Sequence, residues 1–240
     1  MRFIIMHKTN AQWEAGATPT PELVARVGAL LGELKNAGVL VGAEGLRATS
    51  HGVRLVFSGG TRTVIKGPYA GDSELPAGFT ILHTASIDEA IAWATRQAEV
   101  LGDVEIDIRP VNEPWDIGFA PKPADVSHVR YMILCKATAA TEAGSAPSPA
   151  QRAGMARLLD ETRRAGLPLV TAAIRPSSRG RRYKNSRDGI AVIDGPFVET
   201  KELLAGFVIV LADSLEDACR WAEPYIHAVG AKEIDVLEIE

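Results

Sequence analysis

The sequence predicts an α+β fold built twice over, and three observations carry that prediction. Shifted by 128 residues, the chain matches itself without a gap to its end. Each copy reads as strand, helix, strand, hairpin, strand, helix, strand. The strands of each copy alternate so that the helices cover one sheet face and a second apolar face remains to be buried.

The repeat is visible along its whole length. Arg2-Phe-Ile-Ile-Met-His-Lys8 falls on Arg130-Tyr-Met-Ile-Leu-Cys-Lys136, and Glu14-Ala-Gly16 on Glu142-Ala-Gly144. Gly67-Pro68 falls on Gly195-Pro196, Trp93-Ala94 on Trp221-Ala222, and Glu105-Ile-Asp107 on Glu233-Ile-Asp235. The halves are therefore residues 1–111 and 129–240, joined by Asn112–His128, which Pro114, Pro121 and Pro123 make stiff and extended. Each half is large enough to carry its own core.

Within the first copy, Phe3–His7 is a short apolar strand. Thr20 followed by Pro21 is a helix N-cap and first position, and Leu23, Val27, Leu30, Leu31 and Leu34 follow at helical spacing. Gly38 stops that helix, and Val39–Leu46 is the second strand. Val53, Leu55 and Phe57 alternate with Arg54, and Gly59-Gly60 turns the chain into Thr61–Lys66, which gives a hairpin. Gly78–Thr84 is a buried strand, Ser86-Ile-Asp-Glu89 opens a second helix as a capping box, and Val104–Arg109 alternates as a one-faced last strand. In the second copy Pro224 is expected to kink or end its helix early. The order is the split βαβ, ferredoxin-like arrangement. Two such halves are expected to pack sheet on sheet as an internal pseudo-dimer, a dimeric α/β barrel within one chain.

Composition narrows the function. There are 26 basic and 30 acidic residues, a net charge of −4, with 46% hydrophobic and 23% charged residues. That is ordinary for a soluble globular protein and lacks the positive field of a nucleic-acid binder. The opening MRFIIMHKTN is too short an apolar run for a secretory leader, and no run approaches a membrane span, so a cytoplasmic protein without membrane attachment is expected. Cys135 and Cys219 lack zinc spacing and read as buried free thiols. No pair among His7, His51, His83, His128 and His227 has metal-ligand spacing; His7 aligns with Cys135 and reads as a core or sheet-face position. No metal and no cofactor are expected.

At Asp194-Gly-Pro-Phe-Val-Glu-Thr-Lys-Glu202 the sequence resembles the signature of the DGPF, or YCII-related, family. Arg130–Lys136, Glu142–Gly144 and Ala205-Gly-Phe207 fit the same resemblance, which covers both halves. It implies a dimeric α/β-barrel fold. Members of the wider group resemble small acid–base enzymes with a His–Asp pair; one branch is similar to a dehydrochlorinase of chlorinated aromatic breakdown, and others are linked by gene neighbourhood with extracytoplasmic-function sigma factors. Two departures stand out. The helices Pro21–Ala37 and Pro149–Ala165 hold no histidine, and Lys66 stands where the first half would carry the motif aspartate.

Asp194, at a strand end before a Gly-Pro turn, is the candidate catalytic acid or base; its alternative role is to cap the turn. Glu199 and Lys201, with Glu202, are candidates for a charged rim that binds a polar ligand. Lys8 and Lys136 end the first strand of each half, each with a glutamate six residues on, Glu14 and Glu142. Lys8, Lys136 and Glu142 are read as substrate-binding candidates, against the alternative of structural Lys–Glu pairs. Glu44, which becomes Ala172 in the second half, completes the set, and a composite site of Glu44 with Asp194 is conceivable from sequence. The expected function is a small acid–base enzyme or binding protein for a small polar or aromatic ligand. The alternative is an accessory protein that docks a sigma factor or another protein through the basic stretch Arg175–Arg187, which holds six basic residues. Either a monomer or a homodimer fits this reading.

Overall fold

The computed structural model describes residues 1–71, 74–118, 120–197 and 203–240, the side chains of residues 168 and 169 excepted. The first half gives β1 (Arg2–Lys8), α1 (Ala11–Glu14), α2 (Pro21–Asn36), β2 (Leu40–Gly45), β3 (Val53–Ser58), β4 (Thr61–Lys66), β5 (Pro76–Thr84), α3 (Ile87–Leu101) and β6 (Val104–Pro110). The second gives β7 (Val129–Lys136), α4 (Ala139–Glu142), α5 (Pro149–Arg164), β8 (Pro168–Ala173), β9 (Arg181–Ser186), β10 (Gly189–Asp194), β11 (Leu204–Leu211), α6 (Leu215–Cys219), α7 (Ala222–Val229) and β12 (Glu233–Ile239). The caps read from sequence form. Thr20 Oγ1 accepts the Leu23 amide, and Ser86 Oγ accepts the Glu89 amide. The helix of the last repeat is split into α6 and α7 just ahead of Pro224, whose ring would strike the carbonyl four residues back. The one-turn helices α1 and α4 carry too few apolar positions to show in the periodicity.

The chain is α+β, with two antiparallel six-stranded sheets ordered β10-β9-β12-β1-β11-β2 and β4-β3-β6-β7-β5-β8. This is compatible with a tandem ferredoxin-like arrangement. The sheets do not follow the repeats, however. β1 of the first half lies between β11 and β12 of the second, and β7 of the second lies between β5 and β6 of the first. So each half does not carry a core of its own: one module is built from the two chain ends, and the other from the continuous middle, β3 to β8. Distance explains the exchange. Reaching the hairpin position in its own sheet would take residues 46–52 across about four strand spacings, roughly 19 Å, whereas the facing sheet is about 10 Å away. One turn of 3₁₀ helix, Thr49–His51, shortens that connector further.

The two sheets pack face to face. Their shared core takes Ile4, Met6, Phe207, Ile209 and Leu237 from one sheet and Phe79, Ile81, Met132 and Leu134 from the other. Phe79 and Phe207, equivalent positions in the two halves, meet at this seam with ring centroids 5.3 Å apart. Single-residue bridges Leu46–Val111 and Ile174–Ile239 tie the sheets where the chain crosses. The outer faces are covered by α2, α6 and α7 on one side and by α3 and α5 on the other. Both cysteines are buried and unpaired. Among the described residues no helix is long and apolar enough to cross a membrane.

The seam should be the costliest place to cut. Phe79→Ala is expected to remove about 3–5 kcal/mol of unfolding free energy, read from urea denaturation; a loss below about 1 kcal/mol would mean that the sheets do not rely on this contact.

Candidate functional site

Two kinds of polar cluster sit inside the fold, and they differ in what they can do. The first occurs twice. Lys8, from the end of β1, lies 2.9 Å from Asp235 Oδ2, and the Arg182 guanidinium grips the same carboxylate at 2.6 and 2.9 Å. In the other module Lys136 pairs with Glu74, with Glu105 at 3.2 Å and with Asp107 at 3.8 Å, while Arg54 grips Asp107 at 2.7 and 2.9 Å. Each lysine comes from one half and its carboxylates from the other. Burial opposes the ionisation of Asp235, yet the Lys8 ammonium and the Arg182 guanidinium overcome it and hold its carboxyl below the usual carboxylate range. The guanidinium groups lie over the Phe197 and Tyr69 rings, each 4.4 Å from the centroid.

The Gly-Pro motif packs beside these clusters. Glu14 accepts the Thr49 amide at 3.0 Å and its hydroxyl at 2.5 Å, and Glu142 accepts the amide and hydroxyl of Ser177. A side chain at Gly67 or Gly195 would run into the carbonyl of Thr49 or Ser177. The Phe197 amide donates to Ser177 Oγ at 3.0 Å. Lys8 is thus paired with Asp235 rather than Glu14, and Lys136 with Glu74, Glu105 and Asp107 rather than Glu142. Asp194, at the end of edge strand β10, is 76% exposed in its side chain and pairs with Arg181 at 2.7 Å. Glu44 stands on β2, at the opposite edge of the same sheet, so the composite of Glu44 with Asp194 does not assemble: five strand spacings, roughly 24 Å, separate them. Glu199, Lys201 and Glu202 lie outside the described residues.

The second cluster occurs once, around a cavity of about 500 Å³ between α2, β2 and α7. Its walls are largely apolar: Trp13, Val24, Val27, Leu31, Phe207 and Val229. That volume is within the usual range for small-molecule sites. His7 and Tyr225 line it, with Nδ1 2.8 Å from the phenol oxygen. Burial, against the backbone hydrogen bond at Gly206 and with the Lys8 charge, pulls His7 down to about 4. Burial also keeps the Tyr225 phenol protonated. In the neutral pair the imidazole tautomer sets which of Nδ1 and the phenol oxygen donates. Gly206 has no room for a side chain, since a Cβ there would sit 2.7 Å from the His7 ring.

Glu44 is the one described candidate from the sequence that lines this cavity. Burial raises its carboxyl pKa, countered by Arg130, whose guanidinium lies 2.5 Å from Glu44 and 2.9 Å from Glu113. Arg47, His51, Asn112 and Asp116 line the same space. The proline-containing joint is therefore part of the wall, not a free spacer. In the other module a space of only about 20 Å³ lies between α3 and α5, and three of its lining residues, Gln97, Met155 and Leu159, are the equivalents of Tyr225, Val27 and Leu31. There Gly154, in the place of Arg26, lets α5 press on α3 so closely that a Cβ would sit 2.7 Å from Val100. The His7–Tyr225 pair is replaced there by Cys135 and Gln97, 3.2 Å apart.

Sequence reasoning passed over His7, Tyr225, Arg47 and Asn112. The signal was in the self-alignment: His7 and Tyr225 change together, to Cys135 and Gln97, and that co-change pairs residues far apart in the chain. Among the described residues no three His, Cys, Asp or Glu side chains converge to hold a metal ion.

A family model for the YCII-related domain matches residues 1–112 and again 129–240. The chain belongs to the YCII-related family. It is a tandem member, with both copies covered nearly end to end. No curated protein and no solved structure matches the chain.

The buried imidazole ties stability to pH. His7 has a folded pKa near 4 against an ordinary 6.5, so the unfolded chain binds the proton first and stability is lost as pH falls from 6.5 towards 4. His7→Gln should lose less over that window, by on the order of 2 kcal/mol, because the imidazole edge that faces the cavity keeps some solvent. Urea denaturation at pH 7 and pH 4.5 measures this, and equal losses in both proteins would show that the imidazole titrates normally.

Proposed function

We propose that this YCII-related protein binds one small, largely apolar molecule in the cavity at α2, β2 and α7, with Glu44 placed to exchange a proton with it. The observation that supports this reading is the asymmetry of the duplication: one module keeps a space of about 500 Å³ with His7 and Tyr225 on its wall, while in the other α5 closes on α3 at Gly154 and leaves about 20 Å³ between them. Packing alone would favour filling both. A hollow retained beside a half-buried carboxylate of raised pKa is the arrangement that proton transfer needs. The neutral His7–Tyr225 pair orients a ligand by hydrogen bonding and carries no charge at neutral pH.

The alternative, docking of a sigma factor through the basic stretch, draws on a positive surface. Arg175, Arg179, Arg181, Arg182 and Lys184 each pair with a carboxylate, which cancels most of that field.

Indole and 1-naphthamide serve as neutral probes. Calorimetry on the full chain should give dissociation constants on the order of 0.1–1 mM, abolished by Val27→Trp, which fills the cavity; no binding of either probe would overturn the reading. Titrated by carbon NMR, the Glu44 carboxyl should show a midpoint above the ordinary carboxylate range, and Arg130→Gln should raise it further by removing the cation that favours the charged form. An ordinary midpoint for Glu44 would remove its acid–base role.

A further inference from the structure

The duplication supplies an internal control for the charge of the ligand. Arg47 and Arg175 are equivalent, each just past the crossing from one sheet to the other. Arg175 Nη1 lies 2.7 Å from Glu240 Oε1, so that cation is neutralised within the chain. The position equivalent to Glu240 is Asn112, a neutral amide, which lines the cavity together with Arg47. Among the described residues the Arg47 guanidinium has no hydrogen bond or ion pair, and it is half-buried. The same substitution recurs one turn on. Arg179 pairs with Glu238 at 2.7 Å, whereas its equivalent, His51, faces the cavity and the equivalent of Glu238 is Pro110.

The module that lost these two carboxylates is the module with the hollow. Of the other charges on this wall, Glu44 holds Arg130, and Asp116, whose Oδ2 accepts the Glu113 amide at 3.0 Å, keeps its negative charge near His51. The backbone carbonyl of Arg47 is fixed by the buried Arg109 guanidinium, which also binds the Leu204 carbonyl, so the unpaired cation stands on a rigid base. A partly desolvated guanidinium with an open face binds a carboxylate strongly, since its two parallel N–H donors match the two accepting oxygens.

Building on the cavity reading above, we propose that the ligand is a small carboxylate with an apolar body. Its anionic head takes on Arg47 the place that the Glu240 carboxylate takes on Arg175, and its body lies against Val27, Leu31 and Phe207.

The probes are 1-naphthoate and 1-naphthamide, one ring system with a charged or a neutral head, measured by calorimetry on the full chain at pH 7. The expected result is that the carboxylate binds about tenfold tighter than the amide. That preference, read as the ratio of the two affinities in each protein, should vanish in Arg47→Gln, and also in Asn112→Glu, which sets a carboxylate against Arg47 as Glu240 is set against Arg175. Equal binding of the two probes to the natural chain, or a preference that survives Arg47→Gln, would overturn the carboxylate assignment and leave the cavity reading standing. Failure of both probes to bind would overturn the two together.

Discussion

The exchange of strands across two stacked sheets is the constraint on which the remaining structure rests. Each sheet takes a central strand from the opposite half of the chain, β1 in one case and β7 in the other. Neither sheet can therefore form before both halves are present, and the seam of Ile, Leu, Met and Phe side chains is buried only when the two sheets meet. The exchange also fixes the buried charges. Lys8 is compensated by Asp235, and Lys136 by Glu74, Glu105 and Asp107, and each pair joins two halves. Breaking such a pair strands a charge in the interior, so the clusters punish any arrangement that misplaces either strand.

The residues that carry the family resemblance find their physical meaning at the crossings. The glycines at 67 and 195 let the chain lie against the 3₁₀ turns at Thr49 and Ser177, and Glu14 and Glu142 satisfy the polar groups of those turns. The lysine ending the first strand, the aromatic residue after the Gly-Pro pair and the glutamate before the second helix together form a joint. The same joint is built twice, and a joint that appears in both modules describes how the chain folds more than what it binds.

Function is better sought where the two modules differ. One has kept tight helix packing at Gly154 and Val100; the other holds its helix off and keeps a cavity with a neutral His–Tyr pair, a half-buried glutamate and a guanidinium with no partner among the described residues. Duplication allows this division. One copy's helix layer supplies packing, which leaves the other free to hold a void that costs stability.

The repeat, the order of elements, the caps and the helix break at Pro224 were all legible in the sequence, because they depend on local spacing and on backbone chemistry within a few residues. The candidate site was legible only in part. Glu44 stood out as a carboxylate with no equivalent in the second half, but Asp194 stood out equally and ends on an exposed edge with Arg181. Which strand sits beside which, whether a lysine meets the nearby Glu14 or the remote Asp235, and which of two like spaces stays hollow were decided by tertiary structure alone. Those outcomes depend on distances across the sheets and on how closely one helix approaches another. A difference of one side chain, Arg26 or Gly154, contributes to that approach without leaving any trace in periodicity or composition.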